Sequence, residues 1–319
     1  VKPRALPVVC LLVLAGYAGN QVSPASNGQG PGSYRISVDV SLVVLHATVS
    51  DRKGGFVSSL REQDFEVYED GVRQSIRLFR HEDIPVTVGL VVDHSGSMRD
   101  KMLDVIAAAR IFAQSSNPED EMFVVNFNEN VTLGLPDAIQ FTDSSAELER
   151  AIGRELATGK TALYDAIAKA LERLQAGCRD KKVLIVISDG DDTASAHSRA
   201  QAMQMAEQSS AIIYTVGLFN HNDPDAHPGV LRSLARATGG EAFFPEQLSE
   251  VVAICERIAR DIRNQYTIGY VPTNATRDGG YRAIRVRARA RGHRGLSVRT
   301  RTGYVAGGEP RQGKDDGAK

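Results

Sequence analysis

Three short segments of this 319-residue chain hold the residue types that could do chemistry together. Asp93-His94-Ser95-Gly96-Ser97 sets one carboxylate and two hydroxyls at the end of the apolar run Val86-Thr87-Val88-Gly89-Leu90-Val91-Val92. A second apolar run, Lys182-Val183-Leu184-Ile185-Val186-Ile187-Ser188, ends in Asp189-Gly190-Asp191-Asp192. Between them, Thr158-Gly159-Lys160-Thr161-Ala162-Leu163-Tyr164-Asp165 is a glycine-containing loop that enters a helix and offers a third hydroxyl in Thr161. Carboxylate and hydroxyl oxygens are hard ligands. Few carboxylates with several hydroxyls suit a divalent cation that keeps water and leaves a coordination position open, as Mg2+ does.

The elements that must position these loops follow from the flanking pattern. Both apolar runs have the length and β-branched content of central parallel strands buried on two faces. Helical periodicity recurs near 99–115, 144–156, 162–176, 198–209, 228–238 and 247–264, and further strands are predicted at 122–127, 131–135, 211–218 and 242–244. Such alternation of strand and helix demands an α/β fold, a doubly wound and mostly parallel six-stranded sheet with helices on both faces. In open sheets of this kind ligands sit beyond the carboxyl ends of strands, where the strand order reverses. Asp93 and Asp189 both end strands.

The three segments together resemble the metal ion-dependent adhesion site of von Willebrand factor A domains, whose pattern is Asp-x-Ser-x-Ser, a distant Thr and a distant Asp. Asp93, Ser95, Ser97, Thr161 and Asp189 fill it in order. The resemblance covers 84–264, and the stretches Val91-Val92-Asp93-His94-Ser95-Gly96-Ser97-Met98 and Thr161-Ala162-Leu163-Tyr164-Asp165-Ala166-Ile167 are similar to those of bacterial members. It implies a Rossmann-like fold whose Ser and Thr hydroxyls bind Mg2+ or Mn2+ directly, with Ca2+ a further option, while the Asp side chains often act through water. It also implies a protein partner that completes the shell with a Glu or Asp carboxylate. On this reading the chain is a binding or adhesion module with no catalytic residues and no nucleotide.

Outside 84–264 the chain reads differently. Lys2 and Arg4 precede the apolar run 6–15 and small residues follow, the pattern of a signal peptide over 1–19. About ten apolar residues are too few to span a bilayer. Leu14-Ala15-Gly16 resembles a lipobox, but Tyr17 stands where a lipidated Cys belongs. The expected location is therefore exported: periplasmic, cell-surface or secreted, with membrane contact only through an uncleaved leader. Residues 20–33, rich in Gly, Ser, Pro and Asn, form a flexible linker. Strand signals fill an N-terminal β region at 34–83, with runs 34–49, 65–68 and 74–79 and a hairpin turn at Glu69-Asp70-Gly71. A C-terminal β region at 265–306 carries runs 265–271, 281–290 and 296–305, and 307–319 is a disordered tail. The two flanks are expected to form one smaller β module around the inserted domain.

Net charge of -1 excludes whole-chain steering to nucleic acid, and the chain has no Trp for base stacking. Cys10 lies in the leader, and Cys178 and Cys255 read as buried free thiols or as one disulfide. Gly159-Lys160-Thr161 lacks the glycine a phosphate-binding loop needs, since position 154 is Arg. No Gly-x-Ser-x-Gly elbow surrounds Ser95 or Ser97. His221-Asn222-Asp223-Pro224-Asp225-Ala226-His227 is a solvated turn or a second ion site, and Asp191 and Asp192 support the first ion or serve the local backbone. Arg285, Arg287, Arg289 and Arg291 recur at period two, one cationic face of a strand. Two rival functions stay open: an envelope scaffold with little ion dependence and a metal-assisted hydrolase.

Overall fold

A computed structural model of the chain describes residues 42–190, 192–219, 228–293 and 295–307. The leader, the linker, the first half of the 34–49 run, Asp191, the His221 to His227 cluster and all but the first residue of the tail lie outside the described residues.

In chain order the strands are β1 (Val43–Ser50), β2 (Phe65–Glu69), β3 (Val72–Gln74), β4 (Ile76–Arg80), β5 (Val86–Asp93), β6 (Glu121–Phe127), β7 (Val131–Leu133), β8 (Lys181–Ser188), β9 (Ile212–Gly217), β10 (Ala242–Phe243), β11 (Tyr266–Tyr270), β12 (Tyr281–Ala288), β13 (Ser297–Arg299) and β14 (Gly303–Val305). The α-helices are α1 (Met102–Gln114), α2 (Ser145–Ile152), α3 (Leu163–Gln175), α4 (Arg199–Gln208), α5 (Gly229–Thr238) and α6 (Glu250–Arg263).

The central six-stranded sheet runs β10-β9-β8-β5-β6-β7, parallel throughout except for the edge strand β7. All eight residues of β5 are buried, as a strand covered on both faces must be. The helices fall into two groups of neighbours, α6-α1-α2 and α3-α4-α5, which cover the two faces. Gly89 sits where β5 passes between Phe123 and Leu184, and a Cβ there would lie 2.5 Å from the Phe123 ring. From β5 the chain moves outward to β6 and β7; from β8 it moves the other way to β9 and β10. The strand order therefore reverses between β5 and β8, the two strands that end in Asp93 and just before Asp189.

The flanks build two four-stranded sheets, β13-β1-β11-β4 and β14-β12-β2-β3. Their inner faces share a second core of Leu45, Phe65, Val67, Tyr266, Ile268 and Tyr270. The β2-β3 hairpin turns through Asp70 and Gly71, at φ 47° and 83°, the paired positive angles of a type I′ turn. Two predicted runs are each divided between the sheets. The 74–79 run breaks at Ser75, so that β3 stays with β2 while β4 crosses to pair with β11. The 296–305 run breaks after Arg299, β13 joining β1 and β14 joining β12. Strand β12 ends at Ala288, so Arg289 and Arg291 lie past the strand that was expected to carry them. Cys255 is buried and Cys178 exposed, both as free thiols, which corrects the expectation that both are buried.

Candidate functional site

The turn after β5 is drawn tight by its own first residue. Asp93 Oδ1 accepts a 2.7 Å hydrogen bond from the Ser95 backbone N–H, and Asp93 Oδ2 accepts one of 2.6 Å from the Ser188 hydroxyl at the end of β8. One carboxylate thus ties the two central strand ends together. A short 3-10 helix, Gly96–Lys101, then leads into α1 with Met98 fully buried beneath it. Ser95 and Ser97 hydroxyls are 3.1 Å apart, and Ser97 donates a 2.8 Å bond to Asp189 Oδ1. Lys101, the last residue of this 3-10 helix, reaches the other Asp189 oxygen.

The loop carrying Thr161 is held from three sides. Thr158 N–H donates to the His94 carbonyl at 2.8 Å, Gly96 N–H to the Gly159 carbonyl at 3.2 Å, and Ala162 N–H to the Asn128 carbonyl at 2.7 Å. Glu129 accepts from the Lys160 N–H at 2.8 Å, beneath a Gly159 whose φ of 81° few other residues adopt. Thr193 and Ala194 N–H groups donate to the Thr161 carbonyl, while Thr161 N–H donates to the Thr193 hydroxyl at 3.0 Å. The Thr161 hydroxyl faces the Asp189-Gly190 turn, 3.8 Å from where a Cβ on Gly190 would stand.

Asp93, Ser95, Ser97, Thr161 and Asp189 therefore meet at one end of the sheet, four of them buried and Ser97 exposed. Burial raises the Asp93 carboxyl above its ordinary pKa, against the lowering effect of the Ser188 and Ser95 hydrogen bonds. No group of three or more His, Cys, Asp or Glu side chains gathers at metal-binding distance among the described residues, so an ion here would rest on two carboxylates and the hydroxyls. That donor set is all oxygen and fits a hard divalent cation. The contact of Asp189 with an ammonium indicates that a positive charge is accommodated at this spot.

Neighbouring residues take structural parts. Both His94 ring nitrogens face backbone carbonyls, Val92 at 3.1 Å and Ile152 at 2.9 Å, which turns the ring away from Ser95 and Ser97. Asp192 accepts from the Tyr164 N–H at 3.1 Å and so satisfies the start of α3. Sequence reasoning missed Lys101, Ser188 and Glu129.

Residues 88–191 match the family model described as von Willebrand factor type A domain. Among curated proteins, Synechocystis sll0103 is 22% identical over 184 residues, 57% of this chain and 42% of that protein. The mouse (Mus musculus) inter-alpha-trypsin inhibitor heavy chain H2 is 23% identical over 199 residues, 60% of this chain and 20% of that protein. The chain thus spans less than half the length of either relative. Among solved structures, the von Willebrand factor type A protein from Catenulispora acidiphila superposes with a TM-score of 0.50 at 15% identity, covering 83% of this chain and 73% of that one. With its strand order reversing between β5 and β8 and its helices on both faces, the central unit of this chain has the von Willebrand factor type A fold.

Proposed function

We propose that the chain is an exported protein-binding module, not an enzyme, in which a divalent cation, Mg2+ or Mn2+, is held by Asp93, Ser95, Ser97, Thr161 and Asp189 and engages an acidic side chain of a partner. One observation carries this reading: three loops from separate parts of the chain bring these oxygen donors to the point of strand reversal, with Asp93, Ser95, Ser97 and Asp189 in one connected hydrogen-bond chain. The ion, when bound, supplies a Lewis-acidic position for a carboxylate. The protein residues do the rest. Asp93 holds β5 to β8 and fixes the turn, the hydroxyls of Ser95 and Ser97 present oxygen, and the clamped 158–162 loop sets the depth of Thr161. Both His94 ring nitrogens are occupied by carbonyls, so the histidine is no base for Ser95 or Ser97, which favours binding over hydrolysis.

The test is a calorimetric titration of Mg2+ and Mn2+ into the wild-type chain and into an Asp93→Ala/Asp189→Ala variant shown to be folded by circular dichroism. Saturable binding to the wild type alone supports the reading. The scaffold reading is favoured by the Lys101–Asp189 pair, which satisfies Asp189 without an ion. Absence of binding to the wild type, with stability unchanged by chelator, would leave that reading standing in its place.

A further inference from the structure

Where the chain turns from α5 into the edge strand β10, away from Asp93 on the interior strand β5, a cleft of about 560 Å³ opens between the central domain and the β module. Its lining is dominated by arginine: Arg232 and Arg236 from α5, Arg285 from β12, Arg299 at the end of β13, and Arg301. Glu241 is the one acid in that lining. Its charge is already shared between Arg257 and Arg299, each at 3.3 Å, and Arg299 also pairs with the buried Asp261.

The other four guanidinium groups have no carboxylate oxygen within 4.0 Å among the described residues. Arg232 lies over the Phe244 ring, 4.7 Å from its centroid. Arg301 is half-buried, and its bonds go to neutral carbonyls of Gly303 and Glu207, each at 2.7 Å. Burial lowers its pKa, against the raising influence of Tyr281, Tyr270, Tyr304 and the Glu207 carboxylate. The other three, Arg232, Arg236 and Arg285, are exposed. Several guanidinium forks without a carboxylate in one cleft match the geometry of a polyvalent oxygen acceptor.

We propose that this cleft binds a multiply charged oxyanion, a phosphate or sulfate group of a larger ligand, between Arg236, Arg285 and Arg301. The site is independent of the cation site in residues and in position. Bound there, the anion would bridge α5 of the central domain to β12 and the β13-β14 connection.

The experiment is calorimetry on the full chain in metal-free buffer at ~0.15 M ionic strength, with inorganic pyrophosphate in one arm and a heparin-derived tetrasaccharide in the other. Binding in the first arm alone identifies phosphate chemistry and in the second alone sulfate; either supports the site. The exposed rim variant Arg236→Ser/Arg285→Ser is expected to fold and to bind at least about tenfold more weakly, and Arg301→Gln to weaken binding as well. Arg77→Ser/Arg80→Ser removes the same charge from exposed positions of β4 and is expected to leave affinity within about twofold. Failure of both arms to bind the wild type, or equal losses in the rim and β4 variants, would overturn the proposal. Retained binding in Asp93→Ala/Asp189→Ala would show that it stands apart from the cation reading.

Discussion

In the proposed cation site Lys101 and a divalent ion would compete for the Asp189 carboxylate, and replacing the lysine by methionine measures that competition. The Asp189 side chain is 1% exposed and that of Lys101 18%, so the pair lies between two regimes. Exposed ion pairs contribute about 0.2–1 kcal/mol, and breaking a fully buried pair costs about 3–5 kcal/mol. An intermediate value of roughly 1–2 kcal/mol is what an entering ion must displace, and that energy corresponds to about a 5- to 30-fold change in affinity. Lys101→Met keeps the aliphatic stem and removes the charge, so Mg2+ affinity should rise by that factor. The ion-free variant should lose the same roughly 1–2 kcal/mol of stability, because the buried Asp189 then has no cation. Paired Mg2+ calorimetry and thermal unfolding read both effects, and the Mg2+-induced rise in Tm should be larger in the variant. A folded Lys101→Met protein with equal or weaker Mg2+ affinity would refute the reasoning.

Three further outcomes are expected. Gly159→Ala should destabilise the fold by roughly 1–3 kcal/mol and weaken Mg2+ binding, since its φ is 81° and the new Cβ would lie 1.7 Å from Glu129 Oε2; urea unfolding with calorimetry checks it, and an unchanged midpoint would contradict it. Burial lowers Lys181 to about 7 from an ordinary 10.5. Between these values the unfolded chain holds a proton that the native chain lacks, so stability should climb by roughly 2 kcal/mol from pH 7 to pH 9. Below pH 7 both states are protonated and the penalty is complete. Lys181→Met should flatten that climb in chemical denaturation at each pH, and identical profiles for variant and wild type would rule out the assignment. Asp261→Ala should cost about 3–5 kcal/mol, because Arg299, the Thr48 hydroxyl at 2.6 Å and the Tyr214 hydroxyl at 2.9 Å lose their common acceptor; a loss under about 1 kcal/mol would show that the junction does not depend on it.

How much of this could be read beforehand depended on whether the signal was local. β5 and β8 were legible because a strand covered on both faces is a continuous apolar run, and the turn residues that end them are chemically distinctive. The hairpin at Asp70-Gly71 was legible because positive φ selects those residue types. The breaks at Ser75 and after Arg299 were not. A strand that changes sheets keeps the same alternation on either side of the break, and only its partners, β11 for β4 and β1 for β13, reveal the division. Ser188 and Glu129 were invisible for a related reason: each is ordinary in type and matters only through the loop it reaches in space. Arg285 was noticed as part of a stripe, yet its setting depends on α5 packing nearby.

The insertion has a mechanical consequence. β4 and β11 are hydrogen-bonded neighbours, with Thr267 opposite Arg80, so the whole central domain is a loop that leaves and re-enters the β module at one pair of strands. At the same doorway Arg263, the last residue of α6, pairs with Asp83 and Asp120. Tension applied between Val43 and Val305 is therefore borne by the ladders of the two four-stranded sheets and bypasses the six-stranded one. The strand ends that carry Asp93 and Asp189 hang to the side of the line of pull, where their geometry is kept while the module that presents them is under strain.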